Sequence, residues 1–319
     1  MSASRGHDPG QPFDWAEYVA WLAAEHGSLA GAADRLAAQR GHVEDASSIE
    51  RALRRLRTRG QSDGGTWGRR CLHLFGLPAS VEARLRWMGH YHSRFTDLPV
   101  ALCLDTLRAW DRPPVIASPA RAWIALGLAS VALRREDRAS AQEQLARVMG
   151  NAPPAALAER ALVASFIEAR EHPEASATRL DEAALLIDSL PEGKDRACLF
   201  ARAVDQRGWV LNVQRRDHAA AYALYETIED DGPPFARVRR SSGLGWSALL
   251  LGRRDEASAH ARRAVAAAGD GGHLRLRAMS LQLLARTLDG DVAVEAAKRA
   301  RAIADALDDE TLRLRGERR

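Results

Sequence analysis

The sequence predicts an all-α protein, and three observations carry that expectation. Apolar residues make up 46% of the chain but aromatics only 6%, so the apolar content is mostly Ala and Leu. Both are strong helix formers, whereas the β-branched residues that strands favour are sparse. Along most of the chain apolar residues recur at helical spacing between Gly and Pro stops. Beyond residue 120 small residues also return at a fixed interval: Gly127 precedes Ala139, Gly208 precedes Ala220 and Gly245 precedes Ala257, each by twelve positions. Small residues at matched places on two facing helices are what close crossings in stacked helical pairs require.

In chain order, residues 1–12 are polar with Gly and Pro and read as a disordered tail. Trp15, Val19, Leu22 and Ala23 mark a first helix that Gly27 stops. Ser28 caps a second, through Ala32, Ala33 and Leu36. Ser47-Ser-Ile-Glu50 has the form of a capping box and starts a third, with Ile49, Leu53 and Leu56 inward. The Gly-rich start and mixed content of 64–75 predict a short hairpin or wing. Residues 13–78 thus form one domain of three helices with that addition. Residues 79–114 read as a helical pair serving as linker or leading cap, in which Tyr91 and the flanking His90 and His92 sit on an amphipathic helix. Five helical pairs follow over 115–309, and 310–319 is a tail.

Two resemblances add to this. Ser28-Leu-Ala-Gly-Ala-Ala-Asp-Arg-Leu36 and Ile49-Glu-Arg-Ala-Leu-Arg-Arg-Leu56 resemble the second and recognition helices of a helix-turn-helix, of plain or winged type. The connection between them, Gln39 to Ala46, is longer than the usual turn. Leu244-Gly-Trp-Ser-Ala-Leu-Leu-Leu-Gly, with Ala257, Ala261 and Ala264 after it, resembles a tetratricopeptide (TPR) unit, and Trp123-Ile-Ala-Leu-Gly127 resembles the start of another. The spacing of 36–37 between Ala220, Ala257 and Ala293 slightly exceeds that family's period. The implied fold is a helix-turn-helix-like domain followed by a TPR-like α-solenoid.

Catalysis finds no support. There is no HExxH, Walker loop, GxSxG or Cys/His grouping with metal spacing. His90 and His92, two apart on a helix, point to different sides, so no metal site and no cofactor are expected. Cys71, Cys103 and Cys198 contain no CxxC pair and read as reduced, buried thiols of a cytoplasmic protein. No apolar run reaches the length of a membrane span and no signal peptide is evident.

Binding is better supported, at two places. With Ile49, Leu53 and Leu56 inward, the third helix presents Ser47, Ser48, Arg51, Arg54, Arg55 and Arg59, and Arg69 and Arg70 follow. Seven arginines between residues 47 and 77 face only two acids, Glu50 and Asp63, in a chain whose net charge is just +4. Such a face suits duplex DNA, with arginine on phosphates and base edges. A solvated face or a protein-docking surface is the bland alternative. In the array, alignment by the small residue puts Arg121, Arg202, Arg239 and Arg275 at one helix position, with Trp209 and Trp246 in register and Asp205 and Asn212 nearby. Stacking would turn these into an arginine row beside aromatic faces, suited to an acidic peptide, chain terminus or protein partner.

A DNA-binding head on such an array is similar to bacterial regulators whose repeats sense a ligand. That resemblance implies a cytoplasmic, non-enzymatic transcriptional regulator, acting on operator DNA through the geometry of the array or of a homodimer. The competing expectation is an adaptor without DNA binding.

Overall fold

The computed structural model describes residues 13–39, 44–59 and 64–317, with no side-chain placement for Arg59. The expected tail at 1–12, residues 40–43 of the long connection and the side chain of Arg59 therefore lie outside the described residues. Among the described residues the secondary structure is seventeen α-helices with short 3₁₀ and π turns and no strand, so the chain is all-α. It divides into two compact units: residues up to Arg86 with Asp105–Ile124, and Trp87–Leu104 with Ala125–Arg319. The pair expected as a connector is thus shared between the two.

In the first unit, α1 (Trp15–Glu25) begins where the Asp14 carboxylate accepts the Glu17 N–H at 2.8 Å and ends before Gly27, whose φ of +74° makes it the expected stop. Helix α2 (Leu29–Ala37) starts at Ser28, which accepts the Gly31 N–H at 3.0 Å. Helix α3 (Ala46–Arg59) departs from expectation at its start. Its cap is Asp45, which takes the Ser48 N–H at 2.7 Å and the Ser47 hydroxyl at 2.9 Å, so Ser47 lies inside the first turn.

The expected hairpin or wing is a helix, α4 (Gly65–Phe75). Its glycines form a left-handed lead-in, Gly64 at φ +72° and Gly65 at +56°, and the stripe Gly68, Cys71 and Leu72 then has helical period. A Cβ on Gly64 or Gly68 would stand 2.1 or 2.6 Å from the Trp15 indole, so both glycines make room for α1. Tyr18, Val19, Leu22, Ala33, Leu36, Ile49 and Leu53 are fully buried, with α1 and α2 packed on α3. Helix α5 (Ala79–Gly89) and α6 (Val100–Trp110) follow, with Arg84 over the Trp110 ring.

The remaining helices, which lie in the second unit from Ala125 of α7 onward, follow the expected pairs closely. They are α7 (Arg121–Arg134) and α8 (Arg138–Ala146), α9 (Pro154–Glu168) and α10 (Pro173–Asp188), α11 (Lys194–Trp209) and α12 (His218–Glu226), α13 (Pro234–Leu250) and α14 (Arg254–Asp270), and α15 (Leu274–Thr287) and α16 (Gly290–Ala306). Helix α11 continues as a π turn, Val210–Arg215. Residues 310–317, expected as tail, are α17 (Glu310–Glu317), held by Leu312, which is buried with Ala278, Ala304 and Leu307.

The first helix of one pair touches that of the next (α9 with α11, α11 with α13, α13 with α15), and the core is a series of clusters shared by neighbours. At the crossings small residues are obligatory. The Tyr225 ring of α12 lies against Gly208 of α11 and Gly243 of α13, where an added Cβ would come within 2.4 and 2.0 Å of it. Gly245 sits 3.1–3.3 Å from Leu283, His260 and Ala257 by the same measure, as its place in the repeat pattern anticipated.

Candidate functional site

Two arrangements, one in each unit, carry the chemistry. In the first unit, α3 buries Ile49, Ala52, Leu53 and Leu56 and exposes Ser47, Arg51, Arg54, Arg55 and Arg57, with Ser48 half-buried. Arg54 holds Glu50 one turn back at 2.6 Å, and Arg51 reaches the Ser48 hydroxyl at 3.1 Å. On α4, Arg69 is exposed, while Arg70 stacks over Trp67 at 4.8 Å and pairs with Glu44 at 3.2 Å. Arg57, which the sequence reading did not include, is exposed as well.

In the second unit, α5 ends at Gly89, so His90, Tyr91 and His92 form a turn and not the helical stretch expected. A 3₁₀ turn, Arg94–Asp97, follows. The consequence is the reverse of the sequence expectation for the histidines. Off the helix, the two imidazoles come together, with ring centroids 4.2 Å apart.

Segment 90–98 threads past the first helices of successive pairs. The Arg202, Arg275 and Arg239 guanidiniums lie 4.3, 5.4 and 5.6 Å from the Tyr91 ring centre, and Arg239 also donates to its hydroxyl at 3.3 Å. Asp97 accepts the Arg275 backbone N–H at 2.8 Å, capping α15 from 178 residues away. Leu98 gives its carbonyl to Arg134 at 2.9 Å.

Three members of the expected arginine row therefore converge, but they are buried and engaged within the chain. Arg202 pairs with Glu159, Arg239 with Asp205 at 2.6 Å and Arg275 with Asp309 at 2.6 Å. Arg121 belongs to the other unit, where it reaches the Ile116 carbonyl at 3.5 Å. Trp209 and Trp246 are half-buried, Trp246 under Arg286 at 5.0 Å. Asn212 is buried, donating to Ser247 at 2.9 Å beside His218. Burial raises the Tyr91 phenol, but Arg275, Arg239, Arg202 and Arg315 outweigh it and bring it down to about 8.

Beside Tyr91 lies a cluster of two imidazoles and two carboxylates. His92 Nε2 is 3.1 Å and His90 Nε2 3.6 Å from the two oxygens of Asp195, and His90 Nδ1 is 4.0 Å from Glu159. Ligand atoms of His90, His92 and Glu159 all lie within 4.8 Å of one another. Burial opposes charge on Glu159, but Arg202 and His90 hold its carboxyl down at about 2. Burial pulls His90 down and the carboxylates of Asp195 and Glu159 more than reverse it, whereas His92 stays below the usual imidazole value, chiefly through burial.

Comparisons with protein families, with curated proteins and with solved structures returned no match.

No sequence signal pointed to this cluster. Glu159 and Asp195 are 36 positions apart and both far from the histidines in sequence, and only the unwinding at Gly89 brings them into reach.

Proposed function

We propose that this chain is a non-enzymatic DNA-binding regulator in which α3 meets duplex DNA and the helical pairs beyond residue 120 respond to an effector. The observation that carries the reading is the division of α3 into two faces. Ile49, Ala52, Leu53 and Leu56 hold one side in the core, and Arg51, Arg54, Arg55 and Arg57 stand exposed on the other. Arginines one turn apart on a rigid helix match phosphate spacing and the acceptor edge of guanine. The resemblance of α2 and α3 to a helix-turn-helix, and of the later pairs to TPR units, supports the same assignment. On the effector side, Arg202, Arg239 and Arg275 surround the Tyr91 ring and are paired with Glu159, Asp205 and Asp309, so an acidic ligand reaches them by displacing segment 90–98 and competing with those carboxylates. Ligand binding then couples to displacement of segment 90–98, which gives the effector two states to discriminate.

The test is selection of duplex fragments by the full-length protein, followed by fluorescence anisotropy on the selected sequence with wild type and R51A/R54A/R55A. The reading expects sequence-selective binding that weakens at least about tenfold in the variant. Absence of duplex binding by wild type, or equal binding by the variant, overturns it.

A further inference from the structure

We infer that His90, His92, Glu159 and Asp195 form a binding site for a divalent transition-metal ion of the zinc type. The inference is independent of the DNA-binding reading, because metal uptake is measured directly.

The donor set is the first argument. Two imidazoles and two carboxylates suit zinc, cobalt or nickel, whereas magnesium and calcium prefer oxygen alone. With neutral rings and ionised carboxylates the four residues carry two negative charges, of which Arg202 already answers the one on Glu159, and a divalent ion supplies the counter-charge for the rest.

Spacing is the second. Metal–nitrogen and metal–oxygen distances of about 2.0–2.2 Å place the ligands of a tetrahedral ion about 3.4 Å apart. The ligand atoms of His90, His92 and Glu159 lie within 4.8 Å of one another, and Asp195 stands 3.1 Å from His92 Nε2 and 3.6 Å from His90 Nε2; because one ion takes a single nitrogen of His90, side chains must turn to bring all four donors to it.

The third argument is Glu159 itself. It is 1% exposed, and its Oε2 atom has no hydrogen-bond partner although it is directed at the imidazoles. Leaving such an oxygen unsatisfied costs about 1–3 kcal/mol or more, and a cation removes that cost. Its other oxygen is held by Arg202, which fixes the carboxylate as an outer-shell partner does in metal sites. The Phe235 ring packs 5.8 Å from His92 and walls the site, while the 42% exposed side chain of Asp195 marks the way in from solvent. A bound ion ties segment 90–92 to α9 and α11 at once.

The experiment uses full-length protein stripped with chelator. Zinc is titrated by calorimetry, and cobalt is added as a spectroscopic probe. The expected result is saturable uptake of about one ion per chain, with visible cobalt bands of four-coordinate intensity and a raised Tm under zinc. H92Q and D195N are each expected to bind at least about tenfold more weakly and to lose the cobalt bands. D195N alters a half-exposed side chain without changing its shape, and its circular dichroism serves as the fold control. Absence of saturable uptake by wild type would mean that the histidines are only ion-paired with Glu159 and Asp195. Unchanged binding in folded D195N and H92Q would place the ion elsewhere. Either result overturns the assignment.

Discussion

Arg134 at the end of α7 and Asp309 before α17 meet as a fully buried ion pair, 2.9 Å across, from positions 175 apart in sequence. The same guanidinium donates to the carbonyls of Leu98 and Leu307 at 2.9 and 3.0 Å, and the same carboxylate accepts from Arg275 at 2.6 Å and from the Leu312 N–H at 3.1 Å. One acid therefore joins both ends of the second unit to its interior. Asp309→Ala leaves two guanidiniums buried without their anion and is expected to cost about 3–5 kcal/mol. Urea unfolding followed by circular dichroism reads this as a lowered midpoint. A change below about 1 kcal/mol would show that the ends are not held by this pair.

The glycines against Tyr225 make a second prediction. Gly208→Ala and Gly243→Ala each drive a methyl group into its ring and are expected to destabilise by about 1–3 kcal/mol. Combined with Tyr225→Leu, much of that cost should disappear. Thermal unfolding of the singles and doubles forms a double-mutant cycle in which strict additivity would refute the contact.

Thiol reactivity reports on the two cores separately. Burial pushes Cys71 up to about 12, and burial foremost, with Asp195 adding and Lys194 opposing, pushes Cys198 up to about 12. At pH 8 only on the order of one in 10⁴ of either group is thiolate, and both side chains are fully buried. Alkylation of the native protein should be slow at both positions and become rapid in denaturant. Peptide mass mapping after timed alkylation checks each site, and fast native labelling of Cys71 would argue against the packing of α4.

Salt dependence separates phosphate contact from a merely basic surface. If Arg51, Arg54 and Arg55 each neutralise one phosphate, R51A/R54A/R55A should make the slope of log K against log salt shallower by about 2–3. Anisotropy titrations at several salt concentrations give the two slopes, and parallel lines would remove these residues from any DNA contact.

Much of the architecture was legible because it depends on local pattern. Helical periodicity, Gly27 and Ser28 at the ends of the first two helices, and the twelve-residue spacing of Gly245 and Ala257 all act within one or two turns of chain. Those features sufficed to place the helices, the close crossings and the basic side of α3. Where local cues conflicted, the reading failed. Gly64 and Gly65 looked like a hairpin turn because glycine marks both turns and helix lead-ins, and only the Trp15 indole beside Gly64 and Gly68 explains them.

What the tertiary structure alone decided is the company each charged residue keeps. The sequence aligned Arg202, Arg239 and Arg275, yet their partners Glu159, Asp205 and Asp309 come from three different places along the chain, and Tyr91 comes from a fourth. Burial makes such pairing obligatory, since an unpaired guanidinium cannot remain inside. Which acid answers depends on how helices tens to hundreds of residues apart come to rest together. The same reason hid the cluster of His90, His92, Glu159 and Asp195: on a continued helix the two imidazoles diverge, and the end of α5 at Gly89 turns them toward one point.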